Sequence, residues 1–145
     1  MIANLIRELA KFEKLEDHVV MTDELLRTGL FGPHPYAETV IAEENGRPIG
    51  FALFFHTFST FLARPGLYLE DLFVLADHRG RGVGRALLAR LAHLAVERGC
   101  GRLEWAVLNW NQEAIRFYER LGAKPNSEWT VYRLTGEALS ALGRE

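Results

Sequence analysis

Residues 68–84 read YLEDLFVLADHRGRGVG, and the order of residue types in this stretch decides the fold. Tyr68 to Leu75 is aromatic or aliphatic at nearly every place, which predicts a strand buried on both faces except at the adjacent acids Glu70 and Asp71. The glycine-rich run Arg79 to Gly84 follows, and Val83, Leu87, Leu91 and Leu94 then recur on one face of a helix ending near Gly99. A strand, a tight glycine loop and a helix N-terminus together form an anion site, because backbone N–H groups converge there and the helix dipole adds favourable potential. Gly80, Gly82 and Gly84 allow close backbone approach, while Arg79, Arg81 and Arg85 supply positive charge. The same pattern also suits a glycine turn that does no more than start a helix. Two nucleotide loops are excluded: no Lys-Ser/Thr pair follows, and Arg85 and Leu87 stand where the dinucleotide fingerprint needs its third glycine.

Outward from this stretch, the N-terminal side predicts two helices and a hairpin. Ile2, Leu5, Ile6, Leu9 and Phe12 have helical spacing, and a second helix begins after the cap residue Thr22 and stops near Gly29. Thr39 to Glu43 and Ile49 to His56 read as strands joined by an Asn45-Gly46 turn. On the C-terminal side, Arg102 to Leu108 reads as a strand, Asn111 caps a short helix ending at Gly122, and Trp129 to Leu134 reads as a last strand before a tail helix. This order predicts an α/β (α+β) fold, a mixed and mostly antiparallel twisted sheet with helices on both faces. With 145 residues, 48% hydrophobic, one domain spanning 1–145 is expected.

Composition removes several functions. The net charge of -2 lacks the positive excess that binding to a phosphate backbone uses, so no nucleic-acid partner is expected. No run is long and apolar enough to span a bilayer, and Arg7 and Glu8 interrupt any leader-like segment, so neither a membrane partner nor secretion is expected. Cys100 is the single cysteine, which precludes an internal disulfide and fits the cytoplasm. His18, His34, His56, His78 and His93 are scattered without ligand spacing, and no metal is expected.

The motif Arg79-Gly80-Arg81-Gly82-Val83-Gly84, followed by AVLNWNQEAIRFYERLGA with its Asn-x-x-Ala-x-x-Phe-Tyr core, resembles the GNAT superfamily of N-acetyltransferases. The likeness is to the branch containing spermidine/spermine and thialysine N-acetyltransferases, and RELAKFEKLEDHV is similar to that branch's first helix. The resemblance implies the GNAT fold and direct transfer of acetyl from acetyl-CoA to the primary amine of a small cationic substrate, thialysine-like, lysine-like or polyamine. It implies that the backbone of Leu72, Phe73 and Val74 holds the pantetheine arm, that Arg79 to Arg85 hold the pyrophosphate, and that Asn111, Gln112, Glu113 and Ala114 lie along the same cosubstrate. The family begins with a strand before its first helix, and this chain opens inside that helix, so the N-terminal first strand is expected to be absent. An exposed sheet edge and an apolar stripe on the first helix would then favour a homodimer.

Tyr118, two helical turns from Asn111, is by this resemblance the acid that protonates the departing thiolate, in contrast to plain core packing beside Phe117. Glu70 is the candidate base for the ammonium proton; Asp71 can exchange roles with it, and an ion pair with a neighbouring arginine is the structural alternative. Phe12, Glu13, Asp71, Glu104, Trp105, Ala106 and Trp129 complete the expected substrate side, with Glu16, Asp17 and Glu128 as further acids that attract a cation. Ser59 and Phe61 stand where polyamine enzymes resemble one another in having an acid and a Trp, which favours a lysine-like or thialysine-like amine. Two other readings stay open at this point: a non-catalytic acyl-CoA sensor, and a protein-lysine or N-terminal acetyltransferase.

Overall fold

The computed structural model describes residues 1–145. The order of elements is α1 (Ile2–Phe12), α2 (Asp23–Phe31), β1 (Glu38–Glu44), β2 (Arg47–Ser59), β3 (Arg64–Val74), α3 (Val83–Glu97), β4 (Leu103–Trp105), α4 (Gln112–Arg120) and α5 (Gly136–Leu142). Four strands make one sheet in the order β1-β2-β3-β4, antiparallel across the first two pairs and parallel across β3 and β4. This is the mixed sheet that the residue pattern predicts, and it begins after two helices. By its internal contacts the chain divides into two units, residues 1–106 and residues 107–145.

In the first unit the elements start where side-chain chemistry dictates. Asn45 and Gly46 both have positive φ, 52° and 76°, the backbone that a two-residue hairpin turn requires, and Glu44 pairs with Arg47 across it. Thr22 caps α2 by accepting a hydrogen bond from the Leu25 N–H at 3.1 Å. Leu5 and Leu9 of α1 are buried against Phe51 and Phe73, cross-strand partners on one face of the sheet. Each such side chain contributes about 1.5–3 kcal/mol by leaving water. The stripe expected to seek a second copy is therefore already covered by the sheet. Arg98, at the end of α3, sits 5.8 Å from the centre of the Phe54 ring, on the alternate residues of β2, so helices cover both faces. Leu87, Leu88, Leu91, Leu94 and Ala95 are the buried residues of α3.

Two strand expectations are corrected. Residues 129–134 form no strand, and Trp129, Val131 and Tyr132 are exposed, so their β-favouring side chains find no sheet to join. The strand expected over Arg102 to Leu108 is only Leu103–Trp105, because its pairing with β3 stops where Leu69 meets Trp105. The second unit contains α4 and α5; Asn111 caps α4, its Oδ1 accepting from the Ala114 N–H at 3.2 Å.

Candidate active site

The middle of β3 is the irregular place in the sheet. Leu53 faces Asp71 and the next residue, Phe54, faces Leu69, so Glu70 is the extra residue of a β-bulge. On the other edge, β4 pairs only with Leu67, Tyr68 and Leu69, and β3 runs on from Glu70 to Val74 without a strand partner there. Leu75 N–H donates to the Ile49 carbonyl, so Leu75 and Phe73 turn their backbone groups toward β2, whereas those of Leu72 and Val74 point to this unpaired edge, where an extended ligand can pair with them.

The bulge separates the two acids. Glu70 is exposed, whereas Asp71 is half-buried and shares the α1-side face with Leu53 and Phe73. Burial, and then the neighbouring charges of Glu70 and Glu13, push the Asp71 carboxyl up to about 6. Burial alone raises the Glu13 carboxyl, at the end of α1. An Asp71 carboxyl whose ionisation is opposed by burial and by two neighbouring acids welcomes a cation.

Arg79 joins this region to the glycine loop. Its Nε donates to the Val74 carbonyl at 2.8 Å, and its guanidinium lies 4.4 Å from the centre of the Phe12 ring and 5.3 Å from that of Phe73. The Arg79 side chain thus fastens the loop to β3 and α1. Arg81 reaches Glu44 at 3.3 Å, and His78 Nε2 lies 3.1 Å from the same carboxylate. Sequence reasoning missed Glu44, because nothing in the chain order signals that the end of β1 meets the loop.

The loop fits a phosphate-bearing group. Gly80 and Gly82 have φ of 76° and 82°, and a Cβ on either would meet nothing within 4 Å, so the space above them is open. Gly82 is the N-cap of α3 and offers no side chain, and no acid stands in the first turn. The first N–H groups of α3, at Val83, Gly84 and Arg85, are left to an outside acceptor.

The other expected residues have mixed fates. Glu104 is paired with Arg102 at 2.9 Å, Trp105 closes β4, and Ala106 is exposed. Glu16 and Asp17 lie exposed in a 3-10 turn after α1. In the second unit, Gln112, Glu113 and Ala114 form the first turn of α4; Tyr118 is half-buried with its ring 5.5 Å from that of Phe117. Trp129 and Glu128 are exposed.

An unpaired strand edge, a glycine loop open at a helix N-terminus and an acidic cluster thus stand together around β3. The chain belongs to the GNAT family of acetyltransferases, whose family model matches residues 3–123. It is an acetyl-CoA-dependent N-acetyltransferase, with acetyl-CoA as cosubstrate. It is 38% identical over 152 residues to thialysine N-epsilon-acetyltransferase of Bos taurus, covering 97% of this chain and 89% of the relative. It is 47% identical over 95 residues to L-ornithine N5-acetyltransferase of Arabidopsis thaliana, covering 66% of this chain and 42% of the relative. Among solved structures, an integron cassette protein from the mobile metagenome of V. cholerae is similar with a TM-score of 0.82 and 29% identity, covering 95% of this chain and 86% of that one.

Proposed function

We propose that the enzyme acetylates the primary amine of a small cationic substrate of the lysine or thialysine kind, by direct attack within a ternary complex. The observation that carries this reading is the acid cluster of Glu70, Asp71 and Glu13 beside the open edge of β3. The similarity to thialysine N-epsilon-acetyltransferases supports the substrate class. Acetyl-CoA supplies the acetyl thioester. Val83, Gly84 and Arg85 N–H groups would hold its pyrophosphate, Leu72 to Val74 its pantetheine arm, and Asn111 to Ala114 would lie along it. An ammonium cannot attack, so a carboxylate must first take its proton. Glu70 and Asp71 share that task, and Asp71, with its carboxyl raised to about 6, is the member matched to a base working near neutrality. Tyr118 Oη would deliver a proton to the departing sulfur. Phe12, Glu13, Glu104, Trp105, Ala106 and Trp129 would form the acceptor side.

In this reading the protein works in the cytoplasm as a homodimer, for which the outer edge of β1 offers an unpaired strand. Release of free thiol from acetyl-CoA, followed across thialysine, lysine, ornithine, spermidine, spermine and lysine-bearing peptides, tests the function. The highest kcat/KM is expected for thialysine or lysine; a clear preference for spermine or for peptides overturns the substrate class. Light scattering that reports only monomer at micromolar concentration overturns the dimer.

A further inference from the structure

Beside the acid cluster lies a groove of about 370 Å³ that none of the motifs above accounts for. Met21, Leu25, Leu26, Leu30, Tyr36 and Leu53 are among its lining residues, and no residue lining it is charged. Its position relative to the acids follows from the strand register. Leu53, in the groove wall, is the direct cross-strand partner of Asp71. Directly opposed residues of antiparallel strands put their side chains on the same face, with Cα atoms about 5 Å apart. A carboxylate that attracts an ammonium and an apolar groove are thus neighbours on one face of the sheet.

We propose that this groove receives the uncharged stem behind the reacting amine, so that the enzyme selects against acceptors whose stem ends in a second ammonium without a counter-charge of its own. The proposal rests on reading Glu70 and Asp71 as the acids that receive the amine, and it deepens that reading. With the ammonium at Asp71, the following atoms pass over Leu53 toward α2. Methylenes or a thioether gain there by leaving water, whereas a second ammonium would lose hydration and find no carboxylate. Lysine and thialysine carry such a stem, and the α-ammonium at its end has the α-carboxylate beside it as a counter-charge, whereas the next ammonium of a polyamine brings no partner into the groove. A primary monoamine with an aliphatic or aromatic tail meets the requirement most fully.

The test is a comparison of hexylamine with its isostere cadaverine, in which a terminal ammonium replaces the methyl group, in the intact enzyme with acetyl-CoA. Hexylamine is expected to have the higher kcat/KM, by about tenfold, since an ammonium set against the apolar lining loses part of its hydration and gains no partner. Leu25 is 63% exposed and stands three residues after the cap Thr22, so Leu25→Glu completes a capping box and leaves α2 intact. This substitution puts a carboxylate at the groove and is expected to shift the ratio toward cadaverine by about tenfold, with the KM for acetyl-CoA unchanged. Cadaverine equal to or better than hexylamine in the unaltered enzyme, or a ratio that Leu25→Glu does not move, overturns the groove proposal while acetyl transfer to amines stands. Failure of both amines, and of lysine and thialysine, to release thiol from an enzyme that binds acetyl-CoA overturns the amine reading itself and the proposal with it.

Discussion

The Arg79 guanidinium stacks on the Phe12 ring at 4.4 Å while its Nε holds the Val74 carbonyl at 2.8 Å. One side chain thereby joins the start of the glycine loop, the end of α1 and the open stretch of β3. A lysine keeps the charge but has neither the flat face nor the fixed fork. Arg79→Lys should therefore cost about 1 kcal/mol of stability, and a double-mutant cycle with Phe12→Leu should show a coupling of about 0.5–1 kcal/mol. Urea denaturation of the four proteins measures both quantities. Additive effects would mean that the stacking contributes nothing.

Gly82 holds φ at 82° at the N-cap of α3, with open space where a Cβ would point. Gly82→Val should cost about 1–2 kcal/mol through left-handed backbone strain, without a steric clash and with the fold retained. Its larger effect should be on coenzyme A, since the side chain would fill the space that a phosphate needs. The loss of one charge-assisted hydrogen bond alone weakens binding about tenfold or more. Titration calorimetry with coenzyme A that finds unchanged affinity would remove the loop from the cosubstrate site.

Much of this arrangement is legible in the chain, because its signals are local. Asn45-Gly46, Thr22 and Asn111 each act on backbone within three residues, and each forms the turn or cap that its chemistry predicts. The strand expected over Trp129 to Leu134 fails for the opposite reason: β-branched and aromatic residues favour a strand only where neighbours exist to pack and pair with. The acids Glu70 and Asp71 are visible as a pair, but their difference is not. A one-residue bulge decides which is exposed and which is half-buried, and it depends on the register of β2 with β3, a relation between residues about 17 apart in sequence that no local propensity encodes. The groove is hidden for the same reason, since Met21, Tyr36 and Leu53 come together only once the sheet has formed.

Tyr118 sits half-buried on α4, beside Phe117. If its phenol protonates the departing sulfur, Tyr118→Phe removes one proton and little packing. The expected result is a fall in kcat of about 100-fold or more with acetyl-CoA affinity unchanged. Single-turnover thiol release and equilibrium binding separate the two effects. Unchanged kcat would reduce Tyr118 to a packing residue.

Asp71 ties activity and stability to the same proton. Its carboxyl titrates normally at 3.8 and is raised to about 6 in the folded chain, first by burial and then by Glu70 and Glu13. A raised acid pKa means that the native state holds the proton more tightly than the unfolded chain does, so ionisation opposes folding. Below about pH 3.8 both states are protonated and nothing is lost. Stability then falls as pH rises from about 4 to about 6, and the full cost, at most about 3 kcal/mol, is present at neutrality. Asp71→Asn, which is neutral throughout, should exceed the unaltered protein in stability near pH 7.5 by up to that amount and match it near pH 4, by urea denaturation at each pH. The same ionisation makes the base competent, so kcat/KM should rise as pH increases through about 6, and that rise should vanish in Asp71→Asn along with most of the rate. Glu70→Gln, acting at an exposed position, should raise stability near pH 7.5 by less than Asp71→Asn does, since it removes only one of the causes that oppose ionisation of Asp71. It should also keep the rise in rate, moved to lower pH because one of the charges that raises the Asp71 carboxyl is gone. An Asp71→Asn protein that is no more stable at pH 7.5 and keeps the pH profile would show that the bulge stores no cost and that the proton is taken elsewhere.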